Sequence, residues 1–324
     1  MQRRDFLRKG TVAAAGLAAT KNLLTPLAQA SEGAKSGPIP KRRLGKTGAD
    51  LSIIALGGIV VMDTEQPFAN NIVAEAFDRG VNYFDVAPQY GNAQQILGPA
   101  LEPYRKRSFL ACKTLMRDKD TAAAQLDDSL RKLRTDHADL YQFHAVTTKE
   151  DVDKIFGPNG AMEAFQAARQ AGKVRFIGFS AHSVENAFAM LDHYDFDTIL
   201  FPINFVLFSQ ANFGPQVLAR AHEKGMGILA LKSMAKTTWP DAEKQPHPSP
   251  KCWYQPSALP EEAALGLRWT LSHPITAAVP PGDEKYFRLA MDVAEKFEPL
   301  KPEEEKALLA RAQGVEPLFH LAKA

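Results

Sequence analysis

Residues 81–91 read VNYFDVAPQYG, and this stretch introduces a pattern that recurs along the chain. An apolar run, Val81 to Phe84, ends at Asp85, and the phenol of Tyr90 follows in the next loop. An acid at the end of a buried strand, with a phenol close by, indicates a polar site on a rigid frame. Whether that site is catalytic depends on which other side chains reach it.

Short apolar runs alternate with longer helical patterns on both sides of this stretch. Strands are predicted at 52–56, 81–84, 108–113, 140–144, 174–179, 198–202, 227–232 and 276–279. Helices are predicted at 70–79, 93–102, 121–133, 161–171, 184–193, 215–224, 260–271 and 283–296, where apolar residues recur every three or four positions. Continuous apolar strands are typical of a parallel sheet covered on both faces.

The repeated strand–helix unit predicts an α/β fold of the (β/α)8 barrel type, also called a TIM barrel. RRLGKTGA, residues 42–49, predicts an N-terminal hairpin, and residues 303–313 predict an extra C-terminal helix. A doubly wound open sheet is the alternative, but no GxGxxG turn follows the first strand. The aromatic, proline-rich insertion 234–259 follows the seventh strand, so we expect it at the carboxyl end of the barrel, where active sites form.

The first thirty residues have the plan of an export signal. RRDFL at 3–7 precedes a modest apolar stretch, and AQA at 28–30 is a small-residue cleavage signature. The arginine pair resembles the twin-arginine motif. We therefore expect a twin-arginine signal peptide at 1–30, a linker at 31–41 and the barrel at 42–324. The export machinery would then be a partner, and the location would be periplasmic.

Composition and residue spacing give no reason to expect a nucleic-acid partner, a membrane span, a disulfide or a metal site. A formal net charge of +2, with 23% charged residues, gives no reason to expect nucleic-acid binding. No internal apolar run reaches the roughly 18 residues needed to span a bilayer, so the mature form is not expected to cross a membrane. Cys112 and Cys252 are expected to be free thiols. The histidines lack the spacing of metal ligands, so no metal is expected.

In a parallel barrel, the carboxyl ends of the strands face one mouth. The polar residues predicted there are Asp85, Lys113, His144, Ser180, His182, Asn204 and Lys232, with Tyr90 in a loop. A buried Lys113 must be paired, and Asp85 is the natural partner. The lysine is expected to lower the pKa of Tyr90, because a cation favours phenolate. A neutral histidine can donate a hydrogen bond to a carbonyl oxygen, and this set suits carbonyl protonation.

These residues and their surroundings resemble the aldo-keto reductase family. FDVAPQYG (84–91), LACKT (110–114), DLYQFH (139–144) and GKVRFIGFSAH (172–182) are similar to its motifs in order and spacing. The resemblance covers residues 42–292. It implies an NAD(P)H-dependent oxidoreductase that reduces a small aldehyde or ketone to an alcohol. Tyr90 would be the proton donor, Lys113 and Asp85 would tune it, and His144 would orient the carbonyl.

The same resemblance implies the cofactor contacts, which are Ser180, His182, Asn204, Lys232, Gly282, Lys285 and Arg288. VPPGDEKYFRLAMD (279–292) is similar to the segment that grips the adenosine phosphate in the family. Two acids in this segment, Glu284 and Asp292, would repel a 2′-phosphate, and Lys285 could compensate. The resemblance implies NADP(H) as the cofactor, and the two acids leave NAD(H) open.

A second hypothesis comes from a different class of protein. The barrel could be a non-catalytic binding or partner protein of the cell envelope. A complete set of four catalytic residues favours the enzyme, whereas altered cofactor residues and the scarcity of nicotinamide cofactor outside the cytoplasm favour the binding protein. Cofactor binding discriminates between the two.

Overall fold

The computed structural model describes residues 38–240 and 248–322. The predicted signal peptide and linker residues 31–37 lie outside the described residues and stay predictions. The last linker residues belong to the fold. Ile39 is buried and its amide donates to Arg79 O at 2.9 Å, while Lys41 begins the first strand. The last residues of the predicted linker thus pack against the barrel.

An antiparallel hairpin of β1 (Lys41–Arg43) and β2 (Asp50–Ser52) precedes the barrel, as predicted. Leu44 in its turn is fully buried among the side chains of the barrel interior. Gly45 has φ +47, a conformation that favours glycine. A Cβ there would lie 2.3 Å from Gly227 N, so a larger residue would push the hairpin away from the barrel.

Eight parallel strands form the barrel. They are β3 (Leu56–Gly57), β4 (Tyr83–Asp85), β5 (Phe109–Thr114), β6 (Ala138–Val146), β7 (Val174–Ala181), β8 (Thr198–Pro202), β9 (Gly227–Leu231) and β12 (Ala277–Val279). Hydrogen bonds close the ring between its first and last members, because Ala55 N donates to Ala278 O at 3.0 Å and Ala278 N donates to Ile53 O at 2.9 Å. The (β/α)8 barrel is thereby confirmed, and the open-sheet alternative is wrong.

The bounds predicted for the first strand are wrong. Ser52 belongs to β2, and only Leu56–Gly57 pairs with β4. The Ser52 hydroxyl donates to Ile54 O at 2.7 Å, and its amide donates to Asn82 Oδ1 at 2.7 Å. These local bonds form where the chain passes from the hairpin to the barrel. The sequence stays apolar from 53 to 56, so it does not show that one strand ends and another begins there.

Helices cover the outside of the barrel. They are α1 (Gln66–Asp78), α2 (Ala93–Leu101), α3 (Lys119–Lys132), α4 (Lys149–Phe156), α5 (Ala161–Gln170), α6 (Val184–His193), α7 (Phe205–Ala211), α8 (Pro215–Glu223), α9 (Pro260–Leu271), α10 (Glu284–Glu295) and α11 (Pro302–Ala312). Each predicted helix is present, and α4 and α7 were not predicted. No helix in the described ranges is long and apolar enough to cross a membrane.

The two unpredicted helices carry weak sequence signals. A capping box starts α4. The Thr148 hydroxyl accepts from the backbone amide of Asp151, and the Asp151 carboxylate accepts from the backbone amide of Thr148. Asn204 caps α7, whose apolar sequence reads like a continuation of the preceding strand. The insertion after β9 forms a small hairpin of β10 (Ala235–Thr238) and β11 (Tyr254–Pro256). It lies at the carboxyl end of the barrel, as predicted, because Tyr254 shares a cavity with Asp85.

Candidate active site

A buried ion pair joins Asp85, the last residue of β4, to Lys113 near the end of β5. Asp85 is 2% exposed and Lys113 is 1% exposed. Neither charge can be hydrated at this depth, so each requires the other. Burial by itself lowers the pKa of Lys113, but the Asp85 carboxylate raises it above its usual value. The ammonium is therefore a permanent cation beneath the mouth of the barrel.

Two further side chains bind Asp85, and neither was predicted from the sequence. Tyr83 OH donates to Asp85 Oδ2 at 3.2 Å, and Gln142 Nε2 reaches the same oxygen at 3.4 Å. Both are fully buried. Side chains two residues apart in a strand face the same side. Tyr83 lies two residues before Asp85 and Gln142 two residues before His144, so this spacing could have predicted both as neighbours of the site.

Tyr90 lies in the turn between β4 and α2, directly above the ion pair. Its amide donates to Ala87 O at 3.1 Å, and its carbonyl accepts from Ala93 N at 2.9 Å. Lys113 Nζ lies 5.2 Å from the centre of its ring. Burial raises the pKa of the phenol, and Lys113 opposes this without overcoming it. The expectation that Lys113 brings this pKa below its usual value is wrong here, and the hydroxyl keeps its proton.

His144, in β6, meets Tyr90 edge-on, with ring centres 5.8 Å apart and planes at 90°. Its Nδ1 lies 3.2 Å from Gln89 Oε1. Burial, followed by the charge of Lys113, lowers the pKa of His144 to about 3. The imidazole is therefore neutral at physiological pH, and it keeps one N–H that can donate to a carbonyl oxygen. Asp85, Tyr90, Lys113 and His144 thus come together in the structure.

Ser180 and His182 follow His144 around the mouth, on β7 and just after it. Ser180 Oγ accepts a hydrogen bond from Ala145 N at 2.8 Å, which leaves the hydroxyl hydrogen for another acceptor. The His182 ring stacks on Phe319 of the C-terminal tail, with centres 5.0 Å apart. Its Nε2 is buried and has no hydrogen-bond partner in the described part of the chain. Burial lowers the pKa of His182 to about 3.

Asn204, predicted as a cofactor contact, has a structural role in addition, because its side chain binds backbone on two sides. Its Oδ1 accepts from Leu207 N at 2.8 Å, capping α7. Its Nδ2 donates to Lys232 O at 3.2 Å and to Ala235 O at 3.1 Å. The amide is therefore engaged by backbone at both ends and holds the loop after β9. One of these bonds ties Asn204 to the backbone of Lys232.

Lys232 lies in an aromatic cage beside Tyr90. Its Nζ is 4.4 Å from the ring centre of Tyr254 and 4.8 Å from that of Trp253. Within the described ranges, no carboxylate oxygen lies within 4.0 Å of this amine, and burial lowers its pKa to about 8. The cage belongs to a cavity of about 80 Å³. It is lined by Gly57, Ile59, Asp85, Tyr90, Leu231, Lys232, Lys251, Trp253, Tyr254, Val279, Pro280, Pro281 and Gly282.

The remaining predicted cofactor residues flank this cavity or lie on α10. A Cβ on Gly282 would meet Ile59 Cγ2 at 2.2 Å, so only glycine fits at that wall. Lys285 Nζ donates to Pro248 O at 3.3 Å. Arg288 Nε binds Glu284 Oε1 at 2.8 Å, and its Nη1 binds the Glu75 carboxylate. The Arg288 guanidinium is therefore already engaged by two acids.

The depressed pKa values of His144 and His182 predict an unusual titration. Both folded-state values lie near 3, below the ordinary value of about 6.5, so both rings should stay neutral as the pH falls from 8 to 5. Because only the unfolded chain binds these protons, stability should decrease as the pH falls below about 6.5. NMR of the imidazole carbons measures this, with a short histidine peptide as the titrating control. Titration of either ring above pH 5 would contradict the burial argument.

Comparisons with known proteins agree with this geometry. The model of the Aldo/keto reductase family matches residues 54–297. The uncharacterized oxidoreductase YqkF of Bacillus subtilis is 33% identical over 155 residues, which is 44% of this chain and 48% of that protein. The aldo-keto reductase YhdN of the same organism is 32% identical over 145 residues, 40% of this chain and 42% of that protein. The matches thus span about half the length of these curated relatives.

Solved structures show the same fold. The holo form of the aldo-keto reductase AKR11C1 from Bacillus halodurans superposes with a TM-score of 0.66 at 22% identity. That superposition covers 86% of this chain and 98% of the other. A putative aldo-keto reductase from Pseudomonas aeruginosa superposes with a TM-score of 0.62 at 22% identity, over 79% of this chain and 94% of that one.

Proposed function

This chain belongs to the aldo/keto reductase family, and from that premise we propose that it reduces a small aldehyde or ketone to an alcohol, with NAD(P)H as cofactor and Tyr90 as proton donor. The observation that carries the proposal is the buried Asp85–Lys113 ion pair under a protonated Tyr90, with neutral His144 edge-on to it. These four side chains come from three consecutive strands and the loop between two of them.

Tyr90, Lys113 and Asp85 have different roles in the proposed proton transfer. A reduced nicotinamide, when bound, supplies a hydride to the carbonyl carbon. Tyr90 donates its hydroxyl proton to the carbonyl oxygen, and the Lys113 ammonium stabilises the phenolate that remains. Asp85 holds that ammonium charged and in place, with Tyr83 and Gln142 fixing the carboxylate.

His144 would orient the carbonyl for this proton transfer. The neutral ring carries one proton. Oε1 of Gln89 faces Nδ1, and a turn of that amide would present its nitrogen to Nδ1 instead. Nε2 then carries the proton and can donate it in a hydrogen bond to the carbonyl oxygen. A neutral donor is suited to this position, because a second cation beside Lys113 would be costly.

The cavity beside Tyr90 carries side chains whose chemistry suits part of a dinucleotide. The amines of Lys232 and Lys251 line it, and no ion pair within 38–240 and 248–322 engages either. They would hold phosphate oxygens. The Ser180 hydroxyl and His182 Nε2, which has no hydrogen-bond partner among the residues described, would face a nicotinamide amide. Ligand pockets usually have about 300–1,000 Å³, so the present cavity of about 80 Å³ must widen, and movement of the β10–β11 hairpin with Trp253 would widen it.

Replacing Tyr90 by phenylalanine tests the proton-donor role. Tyr90→Phe removes the hydroxyl and keeps the ring, so carbonyl reduction should fall by about 10²-fold or more. The dissociation constant of the cofactor should change less than about twofold. Turnover of a panel of small aldehydes and quenching of protein fluorescence by cofactor measure the two quantities.

Tyr104→Phe is the matched control, because Tyr104 packs on Phe77 outside the cavity. It should retain full turnover. Retained turnover in Tyr90→Phe would remove Tyr90 from its role. If neither NADH nor NADPH binds the wild-type protein at millimolar concentration, the enzyme proposal fails and the binding-protein hypothesis is favoured.

We further propose that NADH is preferred over NADPH. In the family resemblance, Arg288 would meet the 2′-phosphate, but here it is paired with Glu284 and Glu75. Asp292 and Glu295, on the same helix, bind Arg79 at 2.6 and 2.7 Å. Four acids thus surround two arginines, and a dianionic phosphate would be repelled.

Removing the two acids on Arg288 should reverse this preference in part. In the double variant Glu75→Gln, Glu284→Gln, the affinity for NADPH should rise about tenfold relative to that for NADH, since one charge-assisted hydrogen bond becomes available. Fluorescence titration with both cofactors measures the ratio. Glu295→Gln, which removes a carboxylate on Arg79 instead, is the control. Tighter binding of NADPH than of NADH by the wild-type protein would contradict the preference.

A further inference from the structure

Arg117, in the segment after β5, binds the carboxyl ends of two active-site strands. Its Nη2 donates to His144 O at 2.7 Å and reaches Ala145 O at 3.4 Å, while Nη1 donates to Thr114 O at 3.3 Å. Only 11% of its side chain is exposed. Because water cannot easily reach this site, the three backbone carbonyls depend on the Arg117 guanidinium for these hydrogen bonds. Arg117 thus joins the strand of Lys113 to the strand of His144.

The residue after His144 has a backbone conformation that needs this support. Ala145 has φ +52, in the left-handed region that residues with a Cβ seldom adopt. The pairing of β6 with β7 shifts register between Phe143 and Val146. The backbone at His144 and Ala145 lies within this irregularity, and we call it the His144–Ala145 turn. Ala145 N donates to Ser180 Oγ at 2.8 Å. The turn is therefore held from one side by Ser180 and from the other by Arg117.

We propose that Arg117 is a positioning residue, whose guanidinium holds the His144–Ala145 turn in the conformation that sets the imidazole edge-on to Tyr90. This inference rests on the proposed function, since it assumes that His144 orients a carbonyl. Without the guanidinium, the peptide after His144 is free to leave the left-handed region. The imidazole then moves with its backbone, and the carbonyl oxygen is no longer held near Tyr90.

Asp151 anchors Arg117 to the start of α4. Asp151 Oδ1 accepts from Arg117 Nε at 2.8 Å, and Oδ2 accepts from the amides of Thr147 and Thr148 at 3.1 and 3.3 Å. Burial by itself raises the pKa of Asp151, but these bonds hold it below its usual value, so the carboxylate is charged. The planar guanidinium makes all its contacts at once, which a lysine ammonium cannot do.

Arg105 provides a matched comparison at the opposite end of the same two strands. It donates to Ser108 O at 3.2 Å and to His137 O at 2.8 Å, and it pairs with Asp139 at 2.9 Å. Its side chain is 13% exposed, close to the value for Arg117. Both arginines therefore join β5 to β6 through backbone carbonyls, but only Arg117 does so beside His144.

Arginine-to-lysine variants at the two positions separate positioning from stability. Arg117→Lys should lower kcat for aldehyde reduction by about tenfold or more, because small displacements of a reacting group are costly. Its dissociation constant for NADH should stay within about twofold. Arg105→Lys should keep kcat within about twofold and lower the unfolding free energy by as much as Arg117→Lys. Asp151→Asn should lower kcat in the same direction but less.

A double-variant cycle with His144→Gln shows whether Arg117 acts through His144. If it does, adding Arg117→Lys to His144→Gln should change kcat less than about twofold. A further tenfold loss in that background would overturn the inference, as would an unchanged kcat in Arg117→Lys alone. Retained turnover in Tyr90→Phe would overturn the proposed function instead, so the two failures are distinguishable.

Discussion

The ion pair between Asp85 and Lys113 is the interaction on which the rest of the site depends. Two charges removed from water are stable only when they touch and when their other polar atoms are satisfied. The parallel register places Asp85 opposite Ala111, two residues before Lys113, so the two strand ends bring the charges together. Tyr83 and Gln142 then complete the carboxylate from within the barrel. A closed, rigid barrel supplies this precision, and a loop could not.

The electrostatics of the mouth follow from that pair. Burial keeps Tyr90 protonated, and the neighbouring ammonium makes the loss of its proton less costly. Burial and the same ammonium keep His144 neutral. The site therefore holds an acid ready to donate, a cation ready to stabilise what remains, and a neutral hydrogen-bond donor. Each state suits the proposed carbonyl reduction, and none requires a charge to be created before substrate arrives.

The sequence predicted the barrel and the four central side chains because both depend on local patterns. Apolar runs of strand length define the strands, and polar residues at their ends define the mouth. Partners distant in sequence could not be predicted. Glu75 and Arg288 are 213 positions apart in the sequence and pair in the structure, and the proposed preference for NADH rests on that pair. Asn204 is of a residue type that often binds ligands, yet its side chain caps a helix through Leu207 N and donates to Ala235 O. Neither backbone partner could be predicted from the sequence.

The coupling between Lys113 and Tyr90 is tested most directly by titrating the Tyr90 phenol. Phenolate absorbance, with the spectrum of Tyr90→Phe subtracted, isolates this one group. The wild-type pKa should lie above the usual value of about 10. In the double variant Asp85→Asn, Lys113→Met it should rise further, because the cation that favours phenolate is gone. The same pKa in both proteins would contradict the coupling of Lys113 to Tyr90, and ionisation of the wild-type phenol below pH 10 would contradict the effect of burial.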